Sequence, residues 1–369
     1  TLNCYGNLDL GTVVWNPAIT FKNRLGISTI TTLSTLAGAV GIDTVNQVVY
    51  FQSNAVLSSS LTLTSGYLNL FGYSITAASY DSSTDTSERH FLMGAGTLTL
   101  NSTAAVAKWH VHQALYTQYC ETSTIVLTNT GANAQTFSPG TGQTFRNITI
   151  GGTGNYTFTI DEATTIYTLT IDRSDSDKSV WFPTSKTTTI TGDFFIPVSG
   201  TRVVTLRGTT VPATALVWTI SKATGVVSTN WVSIEDSTAA GGATFYAGLN
   251  STFVSHVTGW LLDNAPMPTV TTLTATYITV NSARLNGNLT SMGGASTVYA
   301  FFQYGTTTAY GTNTTEQAMT GIGVYDAGAY LSPNTWHFRA AVRYGTGASY
   351  VYGNDATFTV TSQAAATPA

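Results

Sequence analysis

The stretch Leu61–Thr76, "LTLTSGYLNLFGYSIT", decides the fold. Leu61, Leu63, Leu68, Leu70 and Ile75 fall at strand-like alternation around Gly66 and Gly72, with hydroxylated residues between them. Side chains two apart on a strand share a face, so this pattern spells strands with one buried side. The same grammar recurs in "GTLTLN" (Leu98, Leu100), "NITIGG" (Ile148, Ile150), "YTFTID" (Tyr156, Phe158, Ile160) and "YTLTID" (Tyr167, Leu169, Ile171). It continues in "VWTISK" (Trp218, Ile220) and "WVSIED" (Val232, Ile234). The segments are short, rich in Thr and β-branched residues, and separated by Gly, Asn, Asp and Ser turns. No convincing amphipathic helix interrupts them.

Spacing separates the possible all-β folds. The segments recur at about 10 to 20 residues over more than 170 residues. A closed sandwich does not need so many near-equivalent units, whereas a solenoid does, because each turn buries its apolar face only against its neighbours. The prediction is a right-handed parallel β-helix over residues 1–262, with turns of about 20 residues stacked at about 4.8 Å. Cys4 and Cys120 then lie five or six turns apart, some 25–30 Å along the axis, too far for the Cα separation of about 7 Å that a disulfide allows. Residues 1–50 are the least defined part. The alternation in "TLNCYGNLDLGTVVW" at their start suggests a strand that pairs with a neighbouring subunit. At the other end "WVSIEDS" reads as the last solenoid strand, with Phe245 and Tyr246 of "TAAGGATFYAGLNST" covering the open end of the core.

The same residues carry a resemblance. "SSLTLTSGYLNLFGYSITAASYDSSTDTSERHFLMGAGTLTLNSTAAVAKW" resembles turns of pectin-lyase-like β-helices from phage structural proteins and prokaryotic surface proteins, and "FRNITIGGTGNYTFTID" and "TGWLL" resemble later modules of that group. The likeness covers roughly residues 50–262. Residues 263–268, with Pro266 and Pro268, read as a linker. Residues 269–361 then show about seven β segments in the span of an immunoglobulin-like β-sandwich, and 362–369 form a tail. "SARLNGNL", "YAFFQYGTTTAYG" and "LSPNTWHFRAAVRYGTGASYVYGNDATFTV" resemble fibronectin type III-like domains. Such domains commonly carry a leucine, proline, threonine, tyrosine series. Leu331, Pro333 and Thr335 match it, while Trp336 stands where the tyrosine is expected. An indole offers a single N–H donor, which puts the usual corner hydrogen bond in question.

Composition narrows the partners. Charged residues are 9% of the chain, with 14 Lys+Arg and 18 Asp+Glu, against about 25% in ordinary soluble domains. The cations are scattered singly, so the clustered Lys and Arg that nucleic acid requires are missing. No run of 18 apolar residues forms a membrane span. The chain begins at Thr1 with no signal-peptide pattern and reads as a mature chain or an excised fragment. Low charge and abundant Thr point to an extracellular, cell-surface or virion-surface setting. Asn101, Asn147, Asn155, Asn250, Asn288 and Asn313 head N-x-[ST] sequons and are candidate glycan acceptors.

Chemistry-bearing residues are few. In "KWHVH", His110 and His112 share a strand face with Lys108, but two imidazoles fall short of the usual three or four metal ligands. Asp172, Asp175 and Asp177 sit in a turn without the 6 to 8 oxygens that calcium takes. Asp81, Asp85, Glu88 and Arg89 form the densest charged cluster of the solenoid and are the leading surface-contact residues. Glu235 and Asp236 are adjacent, so on a strand they face opposite ways and cannot form a glycosidase pair. Ser237, Asp236 and His256 have the types of a triad, but Ser237 lacks the G-x-S-x-G elbow. No catalytic, metal or cofactor residue is assigned. The expectation is a non-enzymatic structural protein of a repetitive surface assembly, with copies of itself as partners. The alternative is a carbohydrate-binding adhesin or receptor-binding module that stacks tyrosines of "ASYVYGND" and "YAFFQYGTTTAYG" on cell-surface glycans. A polysaccharide-degrading β-helix is a third reading.

Overall fold

In the computed structural model, Leu61–Asn69 is one continuous strand with Leu61, Leu63 and Leu68 buried. Gly66 does not end it. Its φ of +86° and the register shift beside it insert an extra residue, so the buried parity passes from 61 and 63 to 68. Both leucine pairs thereby face one core. A Cβ at Gly66 would lie 2.2 Å from the Thr44 carbonyl oxygen, so only glycine fits this kink.

The structure describes residues 2–11, 15–22, 27–32, 35–84, 86–105, 107–196, 201–209, 216–263, 266–293, 295, 297–344 and 349–362. The chain divides into two compact units, Thr1–Asn264 and Ala265–Ala369.

The first unit is a parallel β-solenoid of about ten turns. One wall is a 16-stranded parallel sheet from Leu2–Cys4 to Thr252–Ser255, a second is an 11-stranded parallel sheet, and a short third wall joins Val226–Ser228, Thr244–Tyr246 and Trp260–Leu261. Registered residues on the first wall lie 17 (Leu2 and Ile19) to 29 (Tyr80 and Trp109) positions apart. The expected turn of about 20 residues thus lies toward the short end of this range, and longer turns carry their excess in loops between walls. Inside, one aromatic column runs through Tyr80, Trp109 and Phe137, with ring centroids 4.5 and 5.8 Å apart. Trp109 is fully buried, and removing such a side chain costs about 3–5 kcal/mol.

The described strands within residues 1–50 are early solenoid turns of this chain: Leu2–Cys4, at the end of its sheet, pairs Ile19–Lys22, which pairs Val40–Phe51. One expectation is corrected here: the solenoid continues past "WVSIEDS". Ser237–Gly241 and Thr244–Tyr246 are strands, and Thr252–Ser255 adds a further turn. Phe245 therefore lies inside the stack, 5.1 Å from the Trp260 ring, and covers no open end. The periodicity fades because Thr252–Ser255, the last strand of the first wall, is only half covered.

The second unit is antiparallel. A three-stranded sheet (Thr269–Thr276, Ser282–Ser291, Gly323–Tyr330) and a six-stranded sheet around Val298–Gly305 and Asn334–Tyr344 share one apolar core that includes Leu285, Leu289, Phe302 and Phe338. The Tyr325 hydroxyl crosses that core to donate to the Ala341 carbonyl at 3.2 Å. Trp336 donates its indole N–H to the Ser332 carbonyl, four residues upstream, at 3.0 Å.

Candidate functional site

The charged cluster predicted for surface contact is not all at the surface. Asp81 is registered with His110 on the next turn, 3.8 Å from its Nδ1. Glu88 is exposed, 3.9 Å from His90, whose ring stacks on Tyr67. Asp85 lies outside the described residues. Arg89 is fully buried, which removes it from the surface set. Its guanidinium reaches inward to the Ser82, His112 and Ala114 carbonyls, so it holds the turn together and faces no partner. Lys108 is corrected in the same way. A register shift between Ala107 and Trp109 breaks the alternation, so Lys108 is buried while His110 and His112 remain exposed. Among the described residues no three His, Cys, Asp or Glu side chains are grouped to hold a metal.

Arg89 and Lys108 belong to a recurrent device. Lys108 Nζ donates to the Ser102 and Thr128 carbonyls, and burial lowers its ammonium to about 7. Lys178 Nζ donates to the Gly152, Gly154 and Ser176 carbonyls, and buried Arg173 donates to the Arg202 carbonyl. Burial depresses the Lys178 pKa, and Asp172 and Asp175 partly restore it. The Asp-rich turn is thus a support: Asp172 accepts the Ser174 N–H and Asp177 the Val203 N–H. Each cation satisfies backbone carbonyls where the chain leaves one wall for the next, and there an unmatched acceptor is costly.

Asp236 occupies a corner at φ +52°, one left-handed residue between Val232–Glu235 and Ser237–Gly241, and His256 repeats the corner one turn later at +45°. The stacking brings His256 Nδ1 within 2.7 Å of the buried Asp236 carboxylate. Ser237 does not complete a triad. It is fully buried, and its Oγ accepts the Trp260 indole N–H at 3.0 Å. Glu235 points elsewhere, 3.6 Å from Arg207 Nε. Of the sequons, Asn101, Asn155, Asn250 and Asn313 are exposed, while Asn288 and Asn147 are half-buried. The Asn147 amide nitrogen is engaged by the Thr122 and Ser123 carbonyls. Cys4 and Cys120 are both free thiols, five paired strands apart along the first wall. Beside Cys120 lies a shallow surface groove of about 540 Å³, in which Arg146 packs 3.5 Å over the Tyr167 ring.

The two tyrosine-rich segments meet on the outer face of the six-stranded sheet. Val298, Ala300 and Phe302 point into the core, so Tyr299, Phe301 and Gln303 point out. Opposite them on Asn334–Tyr344 stand His337, Arg339 and Arg343, and the edge strand Ser349–Tyr352 adds Tyr350 and Tyr352. Phe301 is buried yet outside the core, with the Tyr350 ring 6.0 Å away. The Tyr350 and Tyr352 rings are 13° from parallel, 40% and 42% exposed. Arg339 lies under both Tyr310 (4.6 Å) and Tyr352 (3.7 Å), and Arg343 lies 4.2 Å from Tyr299. Such guanidinium–ring contacts contribute about 0.5–1 kcal/mol each at exposed sites. Asp355 accepts from the Tyr310 hydroxyl and pairs with His337. The sequence reading named the tyrosine segments but missed Arg339 and Arg343; their odd-numbered spacing with His337 on one strand was the available signal.

No protein-family model matches this chain, and no curated protein is similar to it. Among solved structures, the sensor domain of the anti-sigma factor RsgI4 in Pseudobacteroides cellulosolvens is 15% identical, covering 28% of this chain and 98% of that one, with a TM-score of 0.22. Its solution structure aligns at 16% identity over 28% of this chain and 89% of that one, with a TM-score of 0.21. The chitinase ChiW from Paenibacillus sp. str. FPU-7 is 12% identical, covering 83% of this chain and 24% of that one, with a TM-score of 0.18. Likenesses this remote assign neither fold nor function.

Proposed function

We propose that this chain is a non-enzymatic structural protein of a repetitive, surface-exposed assembly, such as a virion fibre, tailspike, capsid decoration, surface layer or extracellular filament. One observation carries the reading: Arg89, Lys108, Arg173 and Lys178, drawn from 14 Lys and Arg, are buried and committed to backbone carbonyls. Scarce charge is invested in holding turns together, which suits a rigid spacer. On this reading the solenoid winds right-handed, as parallel crossovers overwhelmingly do, and resembles the pectin-lyase-like helices. The second unit is a fibronectin type III-like sandwich in which Trp336 replaces the corner tyrosine. Copies of the same chain are the expected partners. Light scattering at rising concentration, with electron microscopy of the product, tests this; a chain that stays monomeric and forms no ordered array overturns it.

A second reading, glycan adhesion, has its own support in the tyrosine face around Tyr310, Tyr350 and Tyr352. Half-exposed, near-parallel aromatic rings offer a flat apolar surface for sugar rings. A glycan array that returns no ligand for the full chain overturns it.

A further inference from the structure

We infer that the tyrosine face selects acidic saccharides, with a uronic-acid carboxylate received by Arg339 beside Tyr310 and Tyr352. The inference rests on the adhesion reading and adds the ligand class.

The charges on this face are not equivalent. Arg343 is already neutralised by Glu316 through two hydrogen bonds of 2.8 and 2.6 Å. His337 is matched with Asp355 at 2.8 Å. Arg339, among the described residues, has no carboxylate within ion-pair distance. Its Nε and Nη2 both donate to one neutral acceptor, Gln303 Oε1, at 2.9 and 2.7 Å. That contact fixes the guanidinium plane without cancelling its charge. Of the five donors of a guanidinium, the pair along the Nη1–Nη2 edge is left for a planar anion, the geometry that binds a carboxylate bidentately. The rings of Tyr310 and Tyr352 both pack against the same group, and Tyr350 extends the surface along the edge strand. A sugar ring on the tyrosines with its carboxylate on Arg339 satisfies both the apolar and the charged parts of the face. A neutral sugar leaves the guanidinium unmatched. A polyanion of closely spaced phosphates would need more free cations than this one.

The test uses the full chain and calorimetric titration. The probes are oligosaccharides of galacturonate, glucuronate and mannuronate, each as the free acid and as its methyl ester, so that ring and linkage are constant. At least one free acid should bind about tenfold or more tightly than its ester. Arg339→Gln should erase that preference, Arg339→Lys should restore only part of it, and Tyr352→Ala should weaken acid and ester alike. Unchanged melting temperatures establish that the variants are folded. Equal affinity for acid and ester overturns the inference and leaves the adhesion reading standing. An acid preference that survives in Arg339→Gln overturns the assigned site. No binding by any probe, with no neutral ligand on an array, overturns both.

Discussion

Replacing Lys108 with methionine should harm the solenoid more at pH 9 than at pH 6. The side chain is fully buried, and its ammonium is lowered from 10.5 to about 7 by burial. Between those values the unfolded chain holds a proton that the folded chain does not, so stability rises with pH through this window. Below pH 7 both states are protonated, and the contribution is flat. One pH unit of such mismatch is about 1.4 kcal/mol, so the wild type should gain about 2 kcal/mol over the variant between pH 7 and pH 9. The neutral amine still has two N–H groups for its two acceptors, the Ser102 and Thr128 carbonyls, so deprotonation breaks neither bond. For a unit of this size the gain is about 4 °C in Tm. Tryptophan fluorescence is the natural probe, because six of the seven tryptophans lie in the first unit. Melting temperatures of both proteins, measured from pH 6 to pH 9, give the difference directly. Parallel curves would refute the reasoning, since they would mean that Lys108 titrates alike in the folded and unfolded chain.

Other consequences follow from single contacts. Gly154→Ala sets a Cβ 2.0 Å from the Gly131 carbonyl oxygen on the preceding turn, so that variant should lose the cooperative solenoid transition; Gly321→Ala, with no atom within 4 Å, should change stability by less than about 0.5 kcal/mol. Burial raises the Cys120 thiol to about 11, so alkylation at pH 8 should be slow in the native chain and fast after denaturation, and mass mapping should find no Cys4–Cys120 link. Trp336→Phe removes the indole bond to Ser332 while keeping a ring beside Tyr304, which should cost about 1 kcal/mol and lower the Tm of the second unit by about 4–8 °C. Differential scanning calorimetry of the full chain reads that change as a shift of one transition.

Much of the architecture was legible because a strand's period of two is local. The alternation in Leu61–Asn69, Thr97–Leu100 and Thr144–Gly151 named their buried faces, and the separation of Cys4 from Cys120 followed from stacking alone. Local pattern could not reveal where an inserted residue flips a face. Lys108 was expected outside with His110, and the register shift put it inside. Nor does alternation announce the last solenoid turn, where Thr252–Ser255 is covered on one side only. Arg89 shows the limit from the other direction. As part of "SERHF" it reads as surface charge, yet it is buried because carbonyls of its own and the following turn, 7 to 25 residues away, converge on it.

The sequence by itself determined the strands, their apolar faces and the change of pattern near residue 265, since these depend on neighbours one to a few residues apart. Tertiary structure alone decided which charges are architectural and which face outward. Among the described residues Arg339 has no carboxylate partner while Arg343 does, and that difference arises from strands paired across the sheet, with Glu316 brought to one arginine and Gln303 to the other. Hydrogen-bond partners and burial are properties of stacked turns and paired strands, and no short window of residues contains them.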